Sequence, residues 1–153
     1  MIKSSVIAAS LTLLFSGAAM AADDLSSMSP EQIIKHRHQA FHQIKDNAGN
    51  LRSLAKSGAV DQTKAKEYVA ALEAASDRAF SSFVPGTEAG VADSEASKKI
   101  WQDPDGFKAA QGKFHDALGK VSAAADARDS DALTAAVGEL GGSCKGCHSS
   151  YRE

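Results

Sequence analysis

Cys144-Lys145-Gly146-Cys147-His148, five residues short of the end of a 153-residue chain, decides how everything before it is read. These are the only two cysteines in the sequence. Residues three apart on a helix share a face, with Cβ atoms about 5–6 Å from each other. Two thiols so placed can add across the two vinyl groups on one edge of a porphyrin, and Cys-x-x-Cys-His is the attachment motif of a c-type haem. The histidine next in sequence then projects its imidazole toward the iron as a proximal axial ligand. Three other readings fit less well. A structural zinc site wants four ligands, and no second Cys-x-x-Cys accompanies this one. A thioredoxin-like dithiol opens a helix after a strand, and no strand pattern precedes the motif. A plain disulfide leaves the histidine without a role.

The opposite end of the chain agrees. Met1-Ile2-Lys3 gives a short positive start, Val6 to Phe15 is largely apolar, and Ala19-Met20-Ala21 supplies a small-x-small cleavage pattern. The spacing predicts a secretory signal peptide over residues 1–21, cleaved to leave one domain over residues 22–153. The apolar stretch, interrupted by Ser10 and Thr12, is short for a membrane span, although a retained anchor stays open as an alternative. A periplasmic location follows, and it suits the motif, because bacterial c-type haem is attached outside the cytoplasm. Losing Lys3 moves the formal charge from −2 to −3. No basic stripe points to nucleic acid, and no polybasic amphipathic segment points to a membrane surface after cleavage.

Between the two ends the pattern is helical. Ser29-Pro30-Glu31-Gln32 offers an N-cap serine, proline in the first turn and a capping-box glutamine. Apolar residues recur at Ile34, Phe41, Ile44, Ala48, Leu51 and Ala55, a helical period that Gly58 stops. Asp61 caps a second helix carrying Ala65, Tyr68, Val69, Leu72, Ala75, Ala79, Phe80 and Phe83 before Pro85-Gly86 breaks it. A loop of small and charged residues covers about 84–99. Asp103-Pro104 opens the third helix, with Phe107, Ala110, Phe114, Leu118, Val121 and Ala125 on one side. A turn at 127–129 follows, and Ser130 is expected to cap the last helix. Its stripe is Leu133, Val137, Leu140, Cys144, Cys147 and Tyr151, so the cysteines continue the seam that faces the core. The predicted fold is all-α, an antiparallel up-down-up-down four-helix bundle enclosing one covalently attached haem.

A haem motif at the C-terminus of a helical bundle resembles the class II cytochromes c, and the cytochrome c′ family in particular. Ile34-Lys35-His36-Arg37-His38-Gln39-Ala40-Phe41 is similar to that family's first-helix segment. Phe83-Val84-Pro85-Gly86-Thr87 resembles its loop after the second helix, and Ile100-Trp101 followed by Phe107 its approach to the third. Cys144 to Arg152 resembles its ending closely. Taken residue by residue, the resemblance implies thioether links at Cys144 and Cys147 and an iron bond from His148. It implies a propionate contact from Arg37, whose guanidinium fork suits a carboxylate. The alternative for Arg37 is a solvated helix residue. His38 stands where the family usually has a propionate-contacting glutamine. Arg152, four residues after His148, falls beside the proximal imidazole. Trp101 is expected to pack in the core or at the haem edge.

The resemblance places Phe41 at the distal position, where low-spin relatives have a ligating methionine. Phenylalanine cannot bind iron, and Met28, the only methionine left after cleavage, lies outside the first helix. Five-coordinate iron that binds a diatomic gas, nitric oxide or carbon monoxide, is therefore the leading expectation. A six-coordinate one-electron carrier between periplasmic donor and acceptor proteins is the alternative, with His38 or His42 as sixth ligand; His36 and His115 are worse placed. No distal acid–base pair suggests an enzyme. Pairing of two copies through the first two helices is common in that family, and no residue here decides for or against a homodimer.

Overall fold

The computed structural model of the protein describes residues 25–153; the expected signal peptide lies outside them. After a 3-10 turn at Leu25–Ser27 come α1 (Pro30–Lys56), α2 (Gln62–Ser81), the short α3 (Lys99–Gln102), α4 (Pro104–Ala127) and α5 (Ser130–Tyr151). No strand occurs among the described residues; an isolated bridge pairs Ala96 with Arg152.

Local chemistry sets the helix ends. Ser29 accepts from the Gln32 amide at 3.3 Å while the Gln32 side chain accepts from the Ser29 amide at 2.7 Å, closing the expected capping box. Asp61 accepts from the Lys64 amide at 3.1 Å, and Asp103 from the Gly106 amide at 3.1 Å. Gly58, at φ 73°, takes the left-handed conformation just past α1 that glycine tolerates without cost from a Cβ. The expected cap of the last helix shifts by one residue. Asp129, not Ser130, is the N-cap, because its carboxylate accepts from both the Asp131 and Ala132 amides, at 3.0 and 2.9 Å. The loop expected at 84–99 also carries a short helix at its far end, which the four-residue run Lys99–Gln102 was too brief to announce as periodicity.

Helix α1 packs chiefly on α2, and α4 on α5; the two hairpins then meet through α1 with α5 and α2 with α4. The main core joins Ile44, Leu51, Val69, Leu72, Phe114, Leu118, Val121, Leu133, Val137 and Leu140, with the buried face of every long helix represented. A second cluster gathers Ala96, Ile100, Phe107 and Tyr151 under α3, with Phe83, Trp101, Ala110 and Cys147 packed against it. This cluster pins the end of the bundle that carries the motif. Ser97 donates its amide to the Tyr151 carbonyl at 3.0 Å, and Glu153 donates its own to Glu95 at 3.0 Å. The Tyr151 hydroxyl donates to Asp103 Oδ2 at 3.0 Å, over Gly106, where a Cβ would collide with both groups. No helix of the described residues is long and apolar enough to cross a membrane.

Candidate haem site

Cys144 and Cys147 lie half-buried on α5, with free thiols. Cys144 packs against the main core and Cys147 against the α3 cluster, so the pair sits where the two apolar bodies meet. Burial pushes both thiols above their usual pKa, which keeps them protonated at neutral pH. Burial also pushes the His148 imidazole down; Arg152 lowers it further and Glu95 opposes. A neutral imidazole keeps the lone pair that a metal bond requires.

A chain of edge-to-face rings spans the bundle from this motif. Tyr151 meets Phe107 at 5.2 Å between centroids, Phe107 meets Phe83 at 5.0 Å, and Phe83 meets Phe41 at 6.1 Å. Phe41 in turn meets Phe80 at 6.4 Å, and Phe80 meets Phe114 at 5.4 Å. The ring expected at the distal position is thus held by aromatics from α2 and from the loop after it. His115 stacks its edge on Phe80 from an exposed position.

Arg37 is the largest departure from an ordinary helix surface. It is 3% exposed. Its Nη1 donates to the Thr87 hydroxyl at 2.9 Å and to the Ser82 carbonyl at 3.3 Å; its Nη2 donates to the Thr87 carbonyl at 2.8 Å and the Ser94 hydroxyl at 2.9 Å. The guanidinium also lies 4.7 Å from the Phe83 ring centroid. The solvated alternative for this residue is therefore excluded: Arg37 ties α1 to the long loop. Desolvation lowers its pKa, opposed by the charge of Asp93. No carboxylate of the described residues reaches ion-pair distance of it, so the site holds a buried cation short of a full counter-charge.

His38 turns toward the loop, its Nδ1 3.4 Å from Asp93 Oδ2, and His42 is exposed. Arg152 forms an ion pair with Glu95. Sequence reasoning missed Ser82, Ser94, Asp93 and Glu95, since no local motif marks them. Thr87 closes the Phe83–Thr87 loop segment, where nothing local marks it as the partner of Arg37. A groove of about 530 Å³ between α4 and α5 reaches Cys147 but not Cys144, His148 or Phe41. Successive helix residues turn by about 100°, so His148 points well away from the groove that Cys147 borders.

Haem fits these residues. Adjacent protonated thiols match its vinyl edge, the neutral imidazole beside them matches the iron, and a buried guanidinium without a paired carboxylate suits a propionate. The Trp101 Nε1, buried with no hydrogen-bond partner, is a further polar atom that the polypeptide alone leaves unsatisfied.

A helical bundle with Cys-x-x-Cys-His on its last helix defines a c-type haem protein. The chain belongs to the cytochrome c′ family, itself a familiar example of the up-down bundle: the family described as Cytochrome C′ matches residues 32–152. Its cofactor is a covalently bound haem c. The cytochrome c′ of Alcaligenes xylosoxydans xylosoxydans is 39% identical over 125 residues, covering 81% of this chain and 95% of that one. The crystal structure of cytochrome c′ from Rubrivivax gelatinosus superposes with a TM-score of 0.73 at 38% identity, over 82% of this chain and 98% of that one. A nitric oxide complex of a leucine-to-alanine mutant of cytochrome c prime from Alcaligenes xylosoxidans gives 0.73 at 39% identity, over 82% and 96%.

Proposed function

We propose that residues 22–153 are a periplasmic gas-binding haem domain, released from a signal peptide at residues 1–21, with Cys144 and Cys147 as its thioether anchors and His148 as its only axial protein ligand. The bound haem supplies a redox-active iron with one open position. Nitric oxide is the favoured ligand, with carbon monoxide binding more weakly. The observation that carries this reading is Phe41, an apolar side chain held between Phe80 and Phe83 and standing, by the family resemblance, at the distal position. It offers neither a ligand to iron nor a hydrogen bond to a bound gas, so it discriminates by bulk. An apolar pocket without a donor gives little help to polar bound dioxygen, whereas nitric oxide needs none.

Arg37 supplies the cationic side of the site, facing a propionate, while its loop contacts fix the position of Phe83. Arg152, parked on Glu95, stands beside the proximal imidazole and is available to a ligand that displaces it. The alternative, a six-coordinate electron carrier serving periplasmic donor and acceptor proteins, calls for His38 or His42 to turn inward. His38 is engaged by Asp93 and His42 faces solvent, so the five-coordinate reading is the better supported. The ferrous absorption spectrum before and after nitric oxide tests it. A broad high-spin spectrum that changes on addition is expected. A sharp low-spin α band indifferent to the gas would overturn the reading.

A further inference from the structure

We infer that His38 and His42 form a second metal site, a surface chelate for one borderline divalent cation of the copper, nickel or zinc type, separate from the haem iron. The two imidazoles stand at i and i+4 on α1, so their Cβ atoms are about 5–6 Å apart on one side of the helix. That spacing lets two imidazole nitrogens meet a single ion, as the paired histidines of helical zinc motifs do. Both side chains are accessible: the His38 side chain is 36% exposed and His42 is exposed. Neither is consumed by the core, which on this helix is built from Ile33, Ile34, Arg37, Ala40, Ile44, Leu51 and Ala55.

Asp93 adds an observation that the spacing alone does not provide. Its Oδ2 lies 3.4 Å from His38 Nδ1, within ion-pair distance, so the carboxylate stands on the Nδ1 side of the ring and Nε2 is left to face a ligand. A carboxylate behind the non-coordinating nitrogen is the usual support of a metal-bound histidine; it fixes the tautomer and raises the basicity of the other nitrogen. His42 makes no hydrogen bond or ion pair among the described residues, so its ring is free to turn to the ion. Asp46, exposed one turn further along α1, can add an oxygen donor.

The described residues hold no preassembled group of three or more donors, so the site is a two-imidazole chelate completed by water. Nitrogen donors favour copper(II) over zinc(II), and both over calcium or magnesium, which want oxygen cages. The site lies on the same turns of α1 as Phe41, and through Asp93 it reaches the loop that Arg37 holds. An ion bound there stiffens the segment that carries the distal ring.

The test is a titration of the matured holoprotein with zinc(II), followed by calorimetry, alongside His38→Gln, His42→Gln, Asp93→Asn and His115→Gln, with far-ultraviolet circular dichroism confirming the fold of each. One equivalent is expected to bind to the parent and to His115→Gln. Either substitution at His38 or His42 should abolish that equivalent, and Asp93→Asn should weaken it by about tenfold or more. Absence of stoichiometric binding to the parent overturns the proposal. So does retention of full affinity by either histidine variant, and unchanged affinity in Asp93→Asn removes the supporting carboxylate from it.

Discussion

Replacing Arg37 with methionine keeps an unbranched, apolar side chain in place and removes one charge and four hydrogen bonds. The acceptors do not suffer equally. The Thr87 carbonyl still accepts from the Ser94 hydroxyl at 2.7 Å, and the Thr87 hydroxyl still donates to the Val84 carbonyl at 2.7 Å. The Ser82 carbonyl has no second donor among the described contacts, so it is left unsatisfied at a cost of about 1–3 kcal/mol. Hydrogen bonds to a charged group are each worth about 1.5–3 kcal/mol, but removing the guanidinium also relieves a desolvation penalty of several kcal/mol. These two terms largely offset, and the orphaned carbonyl with the released loop decides the sign. The expected loss is about 2 kcal/mol, or about 30-fold in the folding equilibrium. Urea unfolding of the holoprotein measures it, and hydrogen exchange should show the amides of residues 87–96 losing protection first. Arg37→Lys should recover little, since an ammonium cannot reproduce the fork that reaches Ser82, Thr87 and Ser94 together. A loss below about 0.5 kcal/mol with the loop still protected would refute the reasoning, because Arg37 would then not be what holds the loop to α1.

Substituting serine at either Cys144 or Cys147 should leave one thioether and a haem that stays attached on denaturation. The double substitution should release it, as read by mass spectrometry of the denatured chain. Acidification should lower stability through His148. Its pKa is held below the usual 6.5, chiefly by burial, so the unfolded chain takes up that proton more readily. The contribution is present above about 6.5 and fades as pH falls through the lower folded value, and an iron bond acts in the same direction by competing with the proton. Thermal midpoints of the parent should therefore drop more between neutral and mildly acidic pH than those of His148→Asn; parallel profiles would contradict this. Trp101 is the only tryptophan and packs against the cluster that includes Cys147. Its fluorescence should be strongly quenched in the folded holoprotein and recover on unfolding, and a bright folded state would place the haem elsewhere.

The fold was legible because its signals are local. Ser29 and Gln32, Asp61, and Asp103 with Pro104 each stop or start a helix through contacts within one turn, and the apolar period between them needs no knowledge of distant residues. The single misplaced cap is instructive. Ser130 and Asp129 are both good capping residues, and only backbone geometry shows which one reaches two amides. The short α3 escaped for a related reason: four residues carry too little periodicity to register, and packing of Ile100 under the loop holds it in shape.

The sequence by itself determined the haem motif, the number of long helices and the face of α5 on which both cysteines lie. All three depend on spacings of three or four residues, which a helix turns into geometry wherever it sits. What only the tertiary structure decided is who meets whom across the bundle. Arg37 finds Ser82, Thr87 and Ser94 at separations of 45 to 57 residues. His38 turns to Asp93 and Arg152 to Glu95. Arginine, histidine and aspartate are equally at home in water on a helix surface, so no local preference assigns them partners. Those pairings appear once the burial of the apolar stripes has fixed how the two hairpins and the long loop pack, and only then is a polar group forced to satisfy itself with whatever lies opposite.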